Sequence, residues 1–173
     1  HLLLQKLTKL VIDFLTFQIN NGVNAVQIFD TSVGVLPSQI YSEFVAPYLR
    51  AIFCELNKFD IPRIYFPLNS THLIKEISTI EMEVISVDWR VDINECYSIL
   101  GKQCKAIQGN LDPLLIYSDK STISNAIENI FNDISRRPHI FNLGHGFPPD
   151  VPLENVKFVV DEVHRLSKIF NNA

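Results

Sequence analysis

The sequence predicts an α/β fold in which parallel strands form a sheet and helices cover it. Short apolar segments alternate with longer segments whose apolar residues recur every three or four positions, and five such pairs follow one another. This alternation is typical of right-handed βαβ units. The 173 residues are 47% hydrophobic and include no linker or low-complexity tract, so we expect one folded domain with a sizeable core.

The first part of the chain predicts helices on either side of a strand. The first helix has one apolar face and ends at Asn21-Gly22. That face consists of Leu3, Leu7, Leu10, Phe14 and Phe17. The segment NAVQIF predicts a strand buried on both faces, and RIYF predicts the second strand. Residues 40–56, between the two strands, have a helical pattern, but Pro47 must kink this helix or divide it in two.

Capping residues help to place the middle elements. Ser70 is expected to cap a short helix that runs through Ile77. The segment EVISVDW predicts the third strand, and KAIQGN predicts the fourth. Between them, Asp92 and Glu95 have the spacing of a capping box before a helix that ends near Leu100-Gly101.

The last part predicts two helices around the fifth strand, HIFNL. The first of these helices has an isoleucine face, formed by Ile123, Ile127, Ile130 and Ile134. The final helix is marked by Val156, Val159, Val160, Val163 and Leu166. The connection between strand and helix carries Gly-His-Gly and then prolines around Asp150. Glycines on both sides of an imidazole let the backbone turn and let the ring approach another group closely.

Charge and composition exclude several classes of function. The net charge of −4 and the pI near 5.7 argue against nucleic acid or an anionic membrane as a partner. No apolar run approaches membrane-spanning length, since polar residues interrupt the N-terminal one. The three cysteines, Cys54, Cys96 and Cys104, form no CxxC pair and no metal-ligand spacing with histidine. We expect reduced, mostly packed thiols in a cytoplasmic protein that holds no metal.

Polar residues follow four of the predicted strands, and this distribution favours a barrel over an open sheet. Asp30-Thr31 follow the first strand, Asp88-Trp89 the third, residues 108–112 the fourth, and residues 144–146 the fifth. The carboxyl ends of successive parallel strands are where a (β/α) barrel builds its active site. The glycine-rich fingerprints of nucleotide-binding open sheets, GxGxxG and GxxxxGK, do not occur.

Five segments in order resemble the C-terminal half of the uroporphyrinogen decarboxylase family. They are AVQIFDTSVG, EFVAPYL, ISVDWRVD, IQGNLDP and NLGHGFPPDVPLENV. The resemblance implies a (β/α)8 barrel of about twice this length. Residues 1–173 would then be the C-terminal portion of the barrel, with about the last five βα units present and the N-terminal part absent.

The resemblance also implies an activity. The family is a carboxy-lyase of porphyrin and haem biosynthesis that acts in the cytoplasm as a homodimer. It removes the carboxyl groups of the four acetate side chains of uroporphyrinogen III and gives coproporphyrinogen III, without metal or organic cofactor. The family's arginine-rich motif, central aspartate and substrate-binding tyrosine all precede the segment that matches this chain. The resemblance therefore assigns no catalytic residue here.

Three substrate-binding residues carry over from the family to this sequence. His145, in NLGHG, matches a histidine that contacts a carboxylate arm of the substrate. Thr31 takes the place of a family serine and keeps the hydroxyl while adding a methyl group. Phe29 matches a residue that packs against the macrocycle. From the residues alone, His145 could equally hydrogen-bond a neighbouring loop.

Other residues allow competing interpretations. Asp30, Asp88 and Asp112 could be the paired acids of a glycosidase or magnesium ligands, but shaping their own loops is the simpler role. Trp89 lies either over the barrel mouth or in the core. Arg136-Arg137 end a helix, where they face its dipole in solvent. The loop FPLNSTHL departs from the family, and its His72 has no family counterpart.

Two alternative functions remain at this point. The related cobamide-dependent methyltransferases bind zinc through His and Cys at strand ends, but Cys104 precedes its strand and NLGHG contains no cysteine. A half-barrel could also be a non-catalytic module. Five strands cannot close a barrel, so we expect the isolated chain to expose strand edges, to self-associate and to lack decarboxylase activity.

Overall fold

The computed structural model describes residues 1–100 and 104–172. Its five strands form one sheet in the order β1-β2-β3-β4-β5. They are β1 Val26–Asp30, β2 Arg63–Pro67, β3 Val84–Ser86, β4 Ala106–Leu111 and β5 His139–Leu143. The pairs β1–β2, β2–β3 and β4–β5 are parallel. The predicted α/β class is confirmed, and a chain-order sheet without a reversal point is consistent with part of a (β/α) barrel.

Seven α-helices are assigned in the described residues. They are α1 Leu2–Asn20, α2 Ser38–Phe44, α3 Ala46–Leu56, α4 Ile74–Ile77, α5 Ile93–Leu100, α6 Lys120–Ile134 and α7 Leu153–Asn172. None of the helices in this part of the chain is long and apolar enough to cross a membrane. The chain divides into two compact units. The first comprises His1–Ile85 and Ile99–Lys105, and the second comprises Ser86–Ser98 and Ala106–Ala173.

Local capping predictions were partly confirmed. Pro47 divides the predicted helix into α2 and α3 and lies in the first turn of α3, where its missing N–H is tolerated. Asp92 Oδ1 accepts the backbone N–H groups of Asn94 and Glu95 at 2.8 and 3.1 Å, as an N-cap should. The Ser70 prediction was wrong, because its hydroxyl donates backwards to the Pro67 carbonyl at 2.7 Å. Gly101 lies outside the described residues.

The core of the first unit shows that α1 packs through a different face from the predicted one. Leu15 of α1 joins Val26 of β1 and residues Ile52 and Leu56 of α3 in a buried cluster. The predicted stripe stays exposed by 44–67%. It consists of Leu3, Leu7, Leu10, Phe14 and Phe17. Both faces of α1 are apolar, so periodicity alone could not tell which one would find a partner.

Strand β1 is not buried on both faces, which corrects the sequence-based expectation. Val26 and Ile28 pack against the α1 and α3 cluster, whereas Phe29 points to the opposite face of the sheet and is 68% exposed. In contrast, β2 is buried throughout. The difference follows from pairing, because β1 lies at the edge of the sheet and β2 has a neighbour on each side.

The helices of the second unit follow their predicted patterns closely. The four isoleucines of the α6 face are buried. Asp119 caps α6 by accepting the Thr122 N–H at 2.9 Å. In α7, Val159 and Leu166 are buried but Val160 is half exposed, because it lies about 100° around the helix from Val159. Arg137 donates to the carbonyls of Ile134 and Asp133, and these contacts satisfy the end of α6.

An ion pair between Arg63 and Glu83 joins the starts of β2 and β3 in the first unit. Arg63 Nε and Nη2 each donate to the Glu83 carboxylate at 2.8 Å, and the Arg63 backbone N–H donates to it at 3.0 Å. A further guanidinium N–H donates to the Phe53 carbonyl. The arginine is 4% exposed, so its charge needs these acceptors. The hydrogen bonds from Arg63 lower the pKa of Glu83.

The substitution Glu83→Gln should lower the free energy of unfolding by about 1–3 kcal/mol at neutral pH, because it leaves the buried Arg63 without its anionic partner. A lowered pKa stabilises the fold above the carboxylate's ordinary pKa of 4.5, and that stability is lost as pH falls through the lowered value. The difference between wild type and variant should therefore shrink in acid. Urea unfolding at several pH values measures it, with exposed Glu81→Gln as the control. Equal losses in both variants would contradict the prediction.

Candidate functional site

The carboxyl end of β1 presents Phe29 and Thr31 away from the helices of the first unit. Phe29 is paired in register with Phe66 of β2, and their rings meet edge to face with centroids 6.0 Å apart. Phe66 is buried, while Phe29 covers it and remains open to solvent. Thr31 follows the strand and is exposed. This end of the strand therefore offers an aromatic face and a hydroxyl to a ligand.

Asp30, between these two residues, faces the helix side of the sheet. The Tyr65 hydroxyl donates to Asp30 Oδ2 at 3.1 Å, and the backbone N–H of Val33 also hydrogen-bonds its carboxyl. Burial raises the pKa of Asp30, and these hydrogen bonds oppose the rise. Tyr65 is fully buried, and burial raises its pKa as well. Asp30 therefore shapes its own loop, as the simpler interpretation of the sequence predicted.

The loop after β1 is held by the loop after β2. Gly34 approaches Asn69 so closely that an added Cβ would lie 2.4 Å from the Asn69 Cβ. The His72 ring Nε2–H donates to the Leu36 carbonyl at 2.9 Å. His72 is thus a structural residue that helps to fix the loop beginning at Thr31.

In the second unit, His145, Trp89 and Arg90 form a cluster that we call the Trp89 cluster. The His145 ring meets the indole of Trp89 edge to face, with centroids 6.5 Å apart. The Arg90 guanidinium carbon lies 3.9 Å from the centroid of the Trp89 ring. His145 and Arg90 are exposed, and Trp89 is partly buried. Trp89 therefore supports two solvent-facing polar side chains and is not a core residue.

Gly144 makes this cluster possible by a close approach of two backbones. An added Cβ at Gly144 would lie 2.4 Å from the backbone nitrogen of Trp89 and 3.0 Å from its Cβ. The Gly144 N–H also donates to the Leu111 carbonyl at 2.7 Å. The backbone bends at Gly144 and His145, and it does so without a positive φ at Gly144 or Gly146. Gly144 allows its backbone to approach that of Trp89 closely, whereas nothing lies within 4 Å of a Cβ added at Gly146.

His145 and His139 differ in their exposure and in their hydrogen-bond partners. The Nδ1–H of His145 donates to the Gly146 carbonyl at 3.2 Å, which leaves Nε2 facing solvent. His139, at the start of β5, donates from Nε2 to the Gly109 carbonyl at 2.8 Å, and burial lowers its pKa. His139 is therefore a neutral structural histidine. His145, beyond the carboxyl end of β5, is the one that can meet a ligand.

The remaining polar residues near the strand ends have partners within the protein. Gln108 donates to the Ser86 hydroxyl at 3.0 Å, and Asn110 donates to the carbonyls of Asp88 and Val91 at 3.1 and 2.8 Å. Asp112 accepts the Leu114 N–H at 2.9 Å, and Asp88 accepts the Arg90 N–H at 2.9 Å. These loop contacts favour structural roles for the carboxylates over glycosidase acids or magnesium ligands. No group of three or more potential metal-ligating residues occurs in the described part.

Two residues of these sites were missed in the sequence. Tyr65 was part of an apolar strand, and its hydroxyl needed a buried acceptor, which Asp30 supplies. Arg90 directly follows Asp88-Trp89, so its position after the third strand was the available signal. Among the three predicted substrate-binding residues, Phe29 and Thr31 belong to the first unit and His145 belongs to the second.

The substitution Gly144→Ala should lower the free energy of unfolding by about 1–3 kcal/mol, because the new methyl group would collide with the Trp89 backbone. Gly146→Ala is the matched control, since nothing lies within 4 Å of its added Cβ. It should be neutral or stabilising by about 0.4–1 kcal/mol. Urea unfolding of both variants tests the contact, and equal stability of the two would contradict it.

One family of known proteins matches nearly the whole of this sequence. The family model described as "Uroporphyrinogen decarboxylase (URO-D)" matches residues 1–166. A uroporphyrinogen decarboxylase of Trichlorobacter lovleyi is 40% identical over 167 residues, which are 96% of this chain and 49% of that protein.

Two further relatives with the same name come from other organisms. The protein of Carboxydothermus hydrogenoformans is 35% identical over 98% of this chain and 48% of its own length. That of Picrophilus torridus is 36% identical over 92% of this chain and 46% of its own length. The chain thus spans about half the length of the curated relatives it matches. Since the family model covers nearly all of the sequence, the chain belongs to the uroporphyrinogen decarboxylase family.

Proposed function

We propose that the protein to which this chain belongs is a uroporphyrinogen decarboxylase, a carboxy-lyase of porphyrin and haem biosynthesis. It converts the four acetate side chains of uroporphyrinogen III to methyl groups and gives coproporphyrinogen III. Residues 1–173 form the C-terminal portion of its (β/α)8 barrel. The observation that carries the proposal is the family match over residues 1–166. The exposed Phe29, Thr31 and His145, which lie at or just after the carboxyl ends of two strands, support it.

The reaction needs an electron sink next to each acetate group. Protonation of a pyrrole ring creates that sink, and the bond between the acetate methylene and its carboxylate then breaks. CO2 leaves, the electron pair enters the protonated ring, and the methylene carbon takes a proton to become a methyl group. The ring finally releases the proton that it gained in the first step, so one proton is consumed for each CO2. Because the substrate itself accepts the electrons, the reaction needs no metal or organic cofactor. The protein has to stabilise the cationic ring and to hold the peripheral acids.

This chain supplies residues that hold the substrate. A protonated His145 would donate from Nε2 to a peripheral carboxylate, because its Nδ1–H is already directed to Gly146. Phe29 offers a ring face of 68% exposure to the macrocycle. Thr31 offers a hydroxyl on a loop that His72 and Asn69 hold in place. The carboxylate that stabilises the cationic ring, and the arginines that hold peripheral acids of the substrate, belong to the part of the barrel that precedes this segment.

The position and the pKa of Cys104 argue against the methyltransferase alternative, which would need a zinc-binding thiol. Cys104 lies before β4, at the amino end of that strand. Burial raises its pKa to about 11, whereas zinc binding and methyl transfer require a thiolate. The cytoplasm as the site of action and a homodimer as the active assembly are further parts of the decarboxylase proposal.

The full-length protein should convert uroporphyrinogen III to coproporphyrinogen III under anaerobic conditions, whereas residues 1–173 alone should not. His145→Ala in the full-length protein should lower kcat/KM about 10- to 100-fold, because a charge-assisted hydrogen bond to the substrate is lost. Chromatographic separation of products by their number of carboxyl groups measures the reaction.

His164→Ala provides the control, because His164 is an exposed histidine on α7 of the same unit. Its kcat/KM should stay within about twofold of the unsubstituted protein. Absence of decarboxylation by the full-length protein would refute the proposed function. Coproporphyrinogen formation by residues 1–173 alone would refute the placement of the catalytic groups outside this segment.

Residues 1–173 alone should self-associate. Among the described residues, β1 and β5 lie at the two ends of the strand order, and α1 leaves an apolar stripe exposed. Light scattering should show dimers or larger species at high protein concentration. Phe14→Glu should weaken the association about tenfold by placing a charge in the stripe. Val35→Glu is the control, because Val35 is 84% exposed and lies outside the stripe. A monodisperse monomer at high concentration would disprove the association.

A further inference from the structure

We propose that Arg90 binds a peripheral carboxylate of the tetrapyrrole, next to the carboxylate that His145 binds. The inference rests on the proposed function, since it assigns one more residue to the same substrate. The Trp89 cluster carries it: one indole supports both a histidine and an arginine beyond the carboxyl ends of β3 and β5.

The position of the guanidinium on the indole leaves its hydrogen-bond donors available. Arg90 Cζ lies over the Trp89 ring at 3.9 Å from the centroid, so the aromatic face stabilises the cation. A guanidinium that stacks on a ring keeps its N–H groups in its own plane, directed sideways. Planar, bidentate contact with a carboxylate uses such an edge. The cation–π contact with Trp89 thus holds the guanidinium without requiring a hydrogen bond between the two side chains.

Asp88, the acid within ion-pair distance of Arg90, does not provide the guanidinium with a good hydrogen bond. Arg90 Nη1 lies 3.6 Å from Asp88 Oδ1, which is too long for a good hydrogen bond. The same Oδ1 already accepts the Arg90 backbone N–H at 2.9 Å. The side chain of Arg90 remains 48% exposed and that of Asp88 only 1%. Asp88 therefore fixes the Arg90 backbone and leaves the guanidinium to an external anion.

The other arginines of the second unit differ from Arg90. Arg137 donates to backbone carbonyls at the end of α6 and covers the Tyr97 ring. Arg165 makes two hydrogen bonds of 2.7 Å to Glu162. Arg136 is exposed and precedes β5, at the amino end of the strand. Arg90 differs from the other three in combining a long ion pair, in place of short hydrogen bonds, with a position beyond the carboxyl end of a strand.

The ligand chemistry follows from the two nitrogen-containing side chains that contact the indole. A guanidinium and an imidazole on one aromatic platform suit a ligand with several separate carboxylates, as uroporphyrinogen carries around its rim. Bidentate contact with Arg90 would fix the orientation of one arm, and His145 would hold a second arm. Arg90 is therefore a substrate-binding residue, and Trp89 is a positioning residue for both side chains.

The test is a titration of the full-length protein with uroporphyrin, followed by the fluorescence anisotropy of the porphyrin. Arg90→Gln should raise Kd about tenfold, because it removes charge-assisted hydrogen bonds. Arg90→Lys should raise it about threefold, since lysine keeps the charge but loses the planar, bidentate geometry. Arg136→Gln removes the same charge from the other end of the strands and should leave Kd within about twofold.

Thermal unfolding of each variant verifies that it is folded. If Arg90→Gln fails to fold, the Kd of Arg90→Lys for uroporphyrin tests the inference. Equal Kd values for both Arg90 variants and Arg136→Gln would overturn the inference while leaving the proposed function intact, provided that the unsubstituted protein decarboxylates uroporphyrinogen. If the unsubstituted protein neither binds uroporphyrin nor decarboxylates its reduced form, the proposed function fails and the inference fails with it.

Discussion

The contact between Gly144 and the Trp89 backbone is the constraint on which the candidate site of the second unit depends. The two backbones approach so closely that only hydrogen fits in place of a side chain. The Gly144 N–H, bound to the Leu111 carbonyl, ties the end of β5 to β4 as well. Because Trp89 is held at this distance, its indole can support His145 on one side and Arg90 on another.

In the first unit, the alternation of side chains along β1 determines which residue faces a ligand. Ile28 packs on the helices, and Asp30 is held by the buried Tyr65 hydroxyl on the same side of the sheet. The intervening Phe29 is thereby directed to the opposite face. A strand whose helix side is fixed so firmly cannot slip in register, since a shift of one residue would bury Phe29 and expose Ile28. The ligand-facing residue is thus determined by the residues behind it.

Features that depend on a few neighbouring residues could be predicted from the sequence, and features that depend on distant partners could not. The Asp92 cap, the division of a helix at Pro47 and the extent of β5 follow from local chemistry. The exposed stripe of α1 and the open face at Phe29 depend on which surfaces find a partner. For the candidate site, the family motifs located His145, Thr31 and Phe29. The support of His145 by Trp89 required coordinates, since the two lie far apart in sequence.

The division into two units has a consequence for how the chain can be dissected. The first unit takes residues from both sides of Ser86–Ser98, so the backbone passes between the units three times. No single proteolytic cut therefore separates the two units, because a cut that leaves one unit whole divides the other. Each unit is thus discontinuous in sequence, and the linear chain offers no continuous segment that contains one unit and nothing of the other.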